Sequence, residues 1–205
     1  MLILAVDSTA KVAAAALAEN DVVICSCAQE KGLTHSETLL PMLAELYERS
    51  GKKAIDTELF CVSAGPGSFT GVRIGVSLIK GLAFGGSKCV GVSTLEALAY
   101  NLRALDGVAC AVMDARRDQL YNAIFKIGDG KVKRLCPDRV IMKHELAEEL
   151  SRMHCPVYLC GDGYDIMAGE NIPTVEKTPR QLIKQNAESV AFLGYTEYLM
   201  GNYSD

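Results

Sequence analysis

Leu4-Ala5-Val6-Asp7-Ser8-Thr9 and, later in the chain, Val112-Met113-Asp114-Ala115-Arg116-Arg117 share one pattern, an apolar run closed by an aspartate. An apolar run of this kind reads as a strand, and an aspartate at its end favours a turn. A second strand-like run follows each, so the two stretches read as the openings of two similar halves. Working outward, the first half gives strands near 2–6, 12–18 and 22–28, a helix near 35–49 and a strand at 59–64. A glycine-bearing helix to 84, a short strand at 89–92 and a helix near 94–105 complete it. The second half gives strands near 108–113, 120–127 and 132–135, a helix near 144–153, a strand at 157–160 and a final helix near 181–200. Three strands, helix, strand, helix thus occurs twice, which predicts α/β layers with mixed sheets in two lobes, 1–105 and 106–205. Whether the last helix packs back on the first lobe stays open.

The duplicated aspartate turn resembles the two phosphate loops of the superfamily of acetate kinase, sugar kinases, heat-shock chaperones and actin. That resemblance implies a duplicated actin-like ATPase fold, each lobe a mixed sheet with helices. It makes Asp7, Ser8, Thr9, Asp114, Arg116 and Arg117 the candidate nucleotide-binding residues. Working ATPases of the group have glycine-rich turns there. Here the first turn has no glycine, and the bulk of Ala115, Arg116 and Arg117 opposes close backbone approach in the second. Gly161-Asp162-Gly163 sits where those ATPases carry an adenine-binding glycine pair, though glycines that end a strand are also ordinary turns.

Gly65-Pro66-Gly67-Ser68-Phe69-Thr70-Gly71-Val72-Arg73-Ile74-Gly75 lies between a strand and a helix. A glycine turn at a helix start invites phosphate. Neither nucleotide fingerprint fits, because Val72 and Arg73 stand where a Walker A loop needs Lys-Ser/Thr and Thr70 where the third dinucleotide glycine belongs. The glycines continue into the helix at Gly71, Gly75, Gly81 and Gly85, each costing about 1 kcal/mol against alanine. Gly71 and Gly75 share a stripe with Leu78 and Leu82, and small residues one turn apart admit another backbone. This predicts a helix shaped for contact with a partner, in which Gly75→Leu abolishes pairing and spares the fold.

Composition narrows the class. Hydrophobic residues at 49% and charged residues at 22% give a globular core. A net charge of −4 supplies no global field for nucleic acid, and 6% aromatics without tryptophan argue against a base-stacking surface. The opening Met1-Leu2-Ile3-Leu4-Ala5-Val6-Asp7 is too short and lacks the basic leader of a signal peptide, and no run approaches the roughly 20 apolar residues of a membrane span. A cytoplasmic protein is expected, with no membrane partner. Most of the eight cysteines fall in strand-like runs without C-x-x-C spacing and read as buried reduced thiols.

Histidine is equally informative. His35 opens a helix whose Thr34 and Glu37 have capping-box spacing. A metal pair needs a second histidine one turn on, where Leu39 stands, so His35 reads as a capping or packing residue. Leu39, Leu40, Leu43, Leu46 and Tyr47 form an apolar stripe that serves a core or a partner, Pro41 kinks the helix or lies near its start, and Gly51 stops it. Arg73, the one charge among 69–79, is either solvated or placed to hold a partner carboxylate.

The stretches at 4–9, 65–75 and 114–117, together with Thr34-His35-Ser36-Glu37-Thr38-Leu39-Leu40-Pro41, resemble in order the bacterial TsaB (YeaZ) family of tRNA threonylcarbamoyladenosine biosynthesis. The resemblance spans essentially the whole chain and thins after Val140. It implies a noncatalytic scaffold or activator paired with a TsaD-like subunit, which carries the metal and transfers threonylcarbamoyl to the adenosine beside a tRNA anticodon. A TsaE-like ATPase joins the assembly, TsaC supplies the threonylcarbamoyl adenylate, and the chain alone forms a homodimer. tRNA is reached only through the complex. No catalytic residue, metal or cofactor of its own is implied, only a nucleotide at the partner interface. The partner-binding candidates are Leu39, Leu43, Phe69, Gly71, Val72, Arg73, Gly75, Leu78 and Leu82. The rival reading is a stand-alone small ATPase or phosphotransferase with Asp7 and Asp114 around a magnesium nucleotide, which Arg116 and Arg117 oppose. A peptidase has no support, since three histidines supply no metal pair and no assignable Ser-His-Asp set.

Overall fold

The computed structural model describes residues 1–30 and 34–204. Two compact units emerge, Met1–Thr94 with Gln185–Asp205, and Leu95–Lys184. The division falls between Thr94 and Leu95 instead of near 105, and the last helix joins the first unit.

The first unit runs β1 (Leu2–Asp7), β2 (Ala13–Glu19), β3 (Val22–Gln29), α1 (His35–Ser50), β4 (Thr57–Gly65), α2 (Phe69–Leu82) and β5 (Lys88–Ser93). Its sheet has the order β3-β2-β1-β4-β5. β1 lies antiparallel to β2 and parallel to β4, and all six of its residues are buried. That placement explains the unbroken Leu-Ile-Leu-Ala-Val run, because a central strand covered on both faces has no solvent side to alternate toward. β2 shows how both faces are filled. Ala13, Ala15 and Leu17 join Leu39, Met42, Leu43 and Leu46 of α1 in one core, while Val12, Ala14 and Ala16 meet Ala187 on the other side.

The second unit holds most of α3 (Thr94–Tyr100), then β6 (Gly107–Arg116), β7 (Gln119–Gly128), β8 (Lys131–Arg134), β9 (Arg139–Met142), α4 (Lys143–Ser151), β10 (Val157–Cys160), α5 (Tyr164–Met167) and β11 (Val175–Glu176). Its sheet has the order β11-β10-β6-β7-β8, with β9 also on β7. Leu146 and Leu150 of α4 pack on Val108, Cys110 and Val112.

The final helix, α6 (Ala187–Leu199), starts later than its apolar pattern begins. Arg180–Leu182 forms a separate 3-10 turn, and Asn186 caps α6 by accepting the Glu188 N–H at 2.9 Å. Gly194 lets α6 press on β4, where any Cβ meets Cys61. Ser26 donates to the Glu188 carboxylate at 2.6 Å. The second half therefore does not repeat the first element for element: β9, α5 and β11 were not legible as elements, and the helix expected to complete the repeat covers the other sheet. The expected helix at 94–105 ends at Tyr100, beyond which Leu102 is buried in a run of turns.

Candidate functional site: a groove between two helices of the first unit

The groove lies between α1 and α2, has a volume of about 430 Å³, and is lined by His35, Leu39, Leu40, Phe69, Arg73 and Leu78 among others. Two helix starts set its geometry. Ser68 caps α2, its Oγ accepting the Gly71 N–H at 3.3 Å. At α1 the Glu37 carboxylate accepts the Thr34 N–H at 3.2 Å and the Thr34 hydroxyl at 2.7 Å, which holds its pKa below the usual value. His35 Nε2–H donates to the Ala10 carbonyl at 2.6 Å, so the ring pins the turn after β1 to α1. Pro41 sits within α1 without ending it.

The glycine stripe faces inward, which corrects the expectation that it meets a partner. Gly71 and Gly75 are buried. A Cβ on Gly71 runs into the Ser8 carbonyl, and one on Gly75 stands 2.5 Å from Ser8 Oγ and 3.3 Å from Val62 Cγ2. The Ser8 hydroxyl donates to the Gly71 carbonyl at 2.8 Å. Leu39 and Leu43 are likewise core residues, 1% and 3% exposed, and Val72 and Leu78 are half-buried. Of the candidates, Phe69 (75% exposed), Leu82 (38%) and Arg73 reach the surface. Arg73 lies over the Phe69 ring, 5.1 Å from its centroid. Leu40, 56% exposed at the groove, was absent from the candidate set. Its signal was available, since position 40 falls 100° around the helix from Leu39 and off the Leu39, Leu43, Leu46 line.

The first aspartate turn is closed. Asp7, Ser8 and Thr9 are at most 1% exposed. Asp7 Oδ1 accepts the Thr9 N–H at 2.9 Å and the Thr9 hydroxyl at 2.7 Å, and Oδ2 accepts the Ser63 hydroxyl at 2.6 Å. Burial nevertheless raises the Asp7 pKa, with the hydrogen bonds from Ser63 and Thr9 opposing it. As nucleotide ligands these three residues are corrected to structural ones, because their polar atoms are spent on the turn and α2 fills the space above it.

The second turn, in the other unit, is open. Arg116 N–H donates to Asp114 Oδ1 at 2.7 Å and its guanidinium reaches Oδ2 at 3.3 Å. Arg116, Arg117 and Asp118 all take left-handed φ, 72°, 54° and 61°, a run that side chains rarely adopt. Asp118 is held by Lys143 at 3.0 Å. Gly161 and Gly163 are required by packing on β6, where a Cβ meets the Val112 backbone. The cysteines divide: Cys61, Cys110 and Cys160 are buried, with burial pushing the Cys110 thiol up to about 12, but Cys155 is exposed. All eight are free thiols. Among the described residues no helix is long and apolar enough to cross a membrane.

Comparison with known proteins places this geometry in context. Residues 29–196 match the family model described as TsaD, tRNA N6-adenosine threonylcarbamoyltransferase. The tRNA threonylcarbamoyladenosine biosynthesis protein TsaB of Bacillus subtilis (strain 168) is 35% identical over 162 residues, 78% of this chain and 71% of that protein. The protein of the same name from Escherichia coli (strain K12) is 31% identical over 155 residues, 73% of this chain and 65% of its own length. Among solved structures, YeaZ from Pseudomonas aeruginosa superposes with a TM-score of 0.80 at 22% identity, covering 100% of this chain and 95% of that one. The activator of 2-hydroxyisocaproyl-CoA dehydratase from Clostridium difficile shares the fold more distantly, with a TM-score of 0.53 at 11% identity over 98% of this chain and 97% of that one.

Proposed function

The chain belongs to the family of the tRNA threonylcarbamoyladenosine biosynthesis protein TsaB, and we propose that it serves that modification as a noncatalytic subunit pairing with a TsaD-type transferase. The observation that carries this reading is the exposed apolar groove between α1 and α2. Phe69 and Leu40 stand out of it at 75% and 56% exposure, beside a guanidinium already stacked on an aromatic ring. Large exposed apolar side chains clustered at a groove mark a protein-binding surface, and an aromatic with an arginine supplies the usual anchors. A second copy of the chain fills the same groove when the partner is missing, and a TsaE-type ATPase joins the assembled pair.

The noncatalytic part of the proposal draws support from the turns. Asp7, the carboxylate that a magnesium nucleotide needs, is enclosed and triply hydrogen-bonded. A nucleotide is proposed only as one shared with the partner, for which Arg116 and Arg117 offer exposed charge.

The test is sedimentation of the chain mixed with a TsaD-type subunit, using Leu40→Asp and Phe69→Asp. Both side chains are largely in solvent, so the expected result is an unchanged melting temperature with loss of the mixed species. Normal pairing by both variants overturns the assignment of the groove.

A further inference from the structure

Lys126, Lys131 and Lys133 crowd one face of the second unit's sheet. β7 and β8 are antiparallel, with Lys126 opposite Lys133 and Gly128 opposite Lys131. The three side chains therefore leave the hairpin on the same side. Like charges placed directly opposite each other weaken an antiparallel pair. Among the described residues none of the three makes a side-chain ion pair, whereas nearby Arg134, Arg139 and Lys143 are each held by a carboxylate. Edge lysines commonly act to keep a strand from pairing with another chain, which accounts for Lys131 and Lys133 on β8. It does not account for Lys126, because β7 lies inside the sheet between β6 and β8.

The same face is core one pair further along. Val108 is opposite Lys126 and Cys110 opposite Ile124, and Cys110 and Ile124 cluster with Leu146 and Leu150 of α4. The lysines continue a core face beyond its helical cover. They line a hollow of about 600 Å³ together with Val108 and Leu135, flanked by Asp106 and Asp129.

We propose that this face contacts the ribose-phosphate backbone of RNA. Lys131 and Lys133 stand about 6.6 Å apart along the strand and Lys126 about 5 Å across from Lys133, a spread that suits successive phosphates better than a single one. The hollow has no aromatic lining residue, so it offers charge without a stacking platform, the chemistry of backbone contact and not of base reading. That the RNA is tRNA rests on the function proposed above. The inference goes further than that function, which gives this chain no RNA contact of its own.

The experiment titrates labelled tRNA into the assembled complex over about 50 to 300 mM salt, since each phosphate contact adds about 0.7–0.9 to the slope of log K against log salt. Combined Lys126→Ala, Lys131→Ala and Lys133→Ala is expected to flatten that slope by about two and weaken binding at low salt at least tenfold. Lys126→Glu with Lys133→Glu weakens it further. The melting temperature of the triple-alanine variant is expected to hold, since those substitutions remove the repulsion between Lys126 and Lys133. Pairing with the TsaD-type subunit is expected to be unaffected. An unchanged slope in a folded, fully paired variant overturns the inference and leaves the proposed function standing. Loss of pairing in the lysine variants also overturns it, and assigns the face to an acidic protein segment. A flattened slope in a chain that needs no groove to assemble does the reverse, keeping the RNA contact and removing the proposed partner site.

Discussion

Asp7 is where burial and hydrogen bonding compete most directly. Its carboxylate accepts from Thr9 and Ser63, yet desolvation is the larger influence and its pKa is raised. A carboxyl whose pKa rises on folding contributes stability below its unfolded value, here 3.8, and loses that contribution as pH climbs through the folded value. Ionised Asp7 is therefore a cost at neutral pH. Asp7→Asn keeps an oxygen for Thr9 and lets the Ser63 hydroxyl turn to accept. Thermal melts from about pH 4 to 7 are expected to show the variant gaining on the natural protein as pH rises. A variant that loses ground toward neutral pH means the three donors outweigh burial, and the physical account of this turn is wrong.

At the scale of the element, α2 is docked through its glycines, and each glycine meets something different. A Cβ on Gly71 strikes the Ser8 backbone carbonyl, which cannot move without shifting the chain after β1, whereas one on Gly75 meets the Ser8 hydroxyl, which gives way by leaving its hydrogen bond to the Gly71 carbonyl. Gly81 has nothing within 4 Å. Denaturant melts of the three alanine variants should therefore rank them. Gly71→Ala is expected to cost about 3 kcal/mol and Gly75→Ala about 1 kcal/mol. Gly81→Ala is expected to gain up to about 1 kcal/mol on propensity alone. Equal effects at all three positions would remove the packing explanation. Gly75→Leu, expected from the sequence to spare the fold, is instead expected to unseat α2 from β1 and β4. The same inward turn of the glycines hands the outer face of α2 to Phe69, Thr70, Arg73 and Ser77, which is why the groove is lined by residues a glycine-centred reading undervalues.

For the whole molecule, the decisive fact is that the first unit is discontinuous. Its sheet is covered on one side by α1 and α2 and on the other by α6 from the far end of the chain. Val12, Ala14 and Ala16 have Ala187 as their buried neighbour on that side. A fragment of residues 1–94 thus lacks half its cover, while 95–184 is contiguous. Expressed separately, 95–184 is expected to give a cooperative melt and 1–94 to remain unfolded or aggregate. Adding 185–205 back to the first fragment through a linker is expected to restore its cooperative melt. A cooperative transition in 1–94 alone would show that α6 is dispensable.

The sequence determined most of the strands, the start and stop of α1, and the family. Unbroken apolar runs such as 2–6, the turn-favouring aspartate that closes two of them, the Thr34–Glu37 contact and the Gly51 stop are local signals, written within a few residues of where they act. The duplicated aspartate turn marked the end of one strand in each sheet, β1 and β6. It could not say that Asp7 is enclosed and Asp114 open, because that depends on whether a helix from elsewhere fills the space above the turn. Nor could it assign the faces of α2: a small-residue stripe looks the same whether it receives a partner's backbone or the chain's own Ser8. The destination of α6, the exposure of Leu40 and the meeting of Lys126 with Lys133 were likewise settled only by tertiary structure. Each depends on which distant segment, or which strand register, is brought alongside, and one-dimensional periodicity carries no information about that choice.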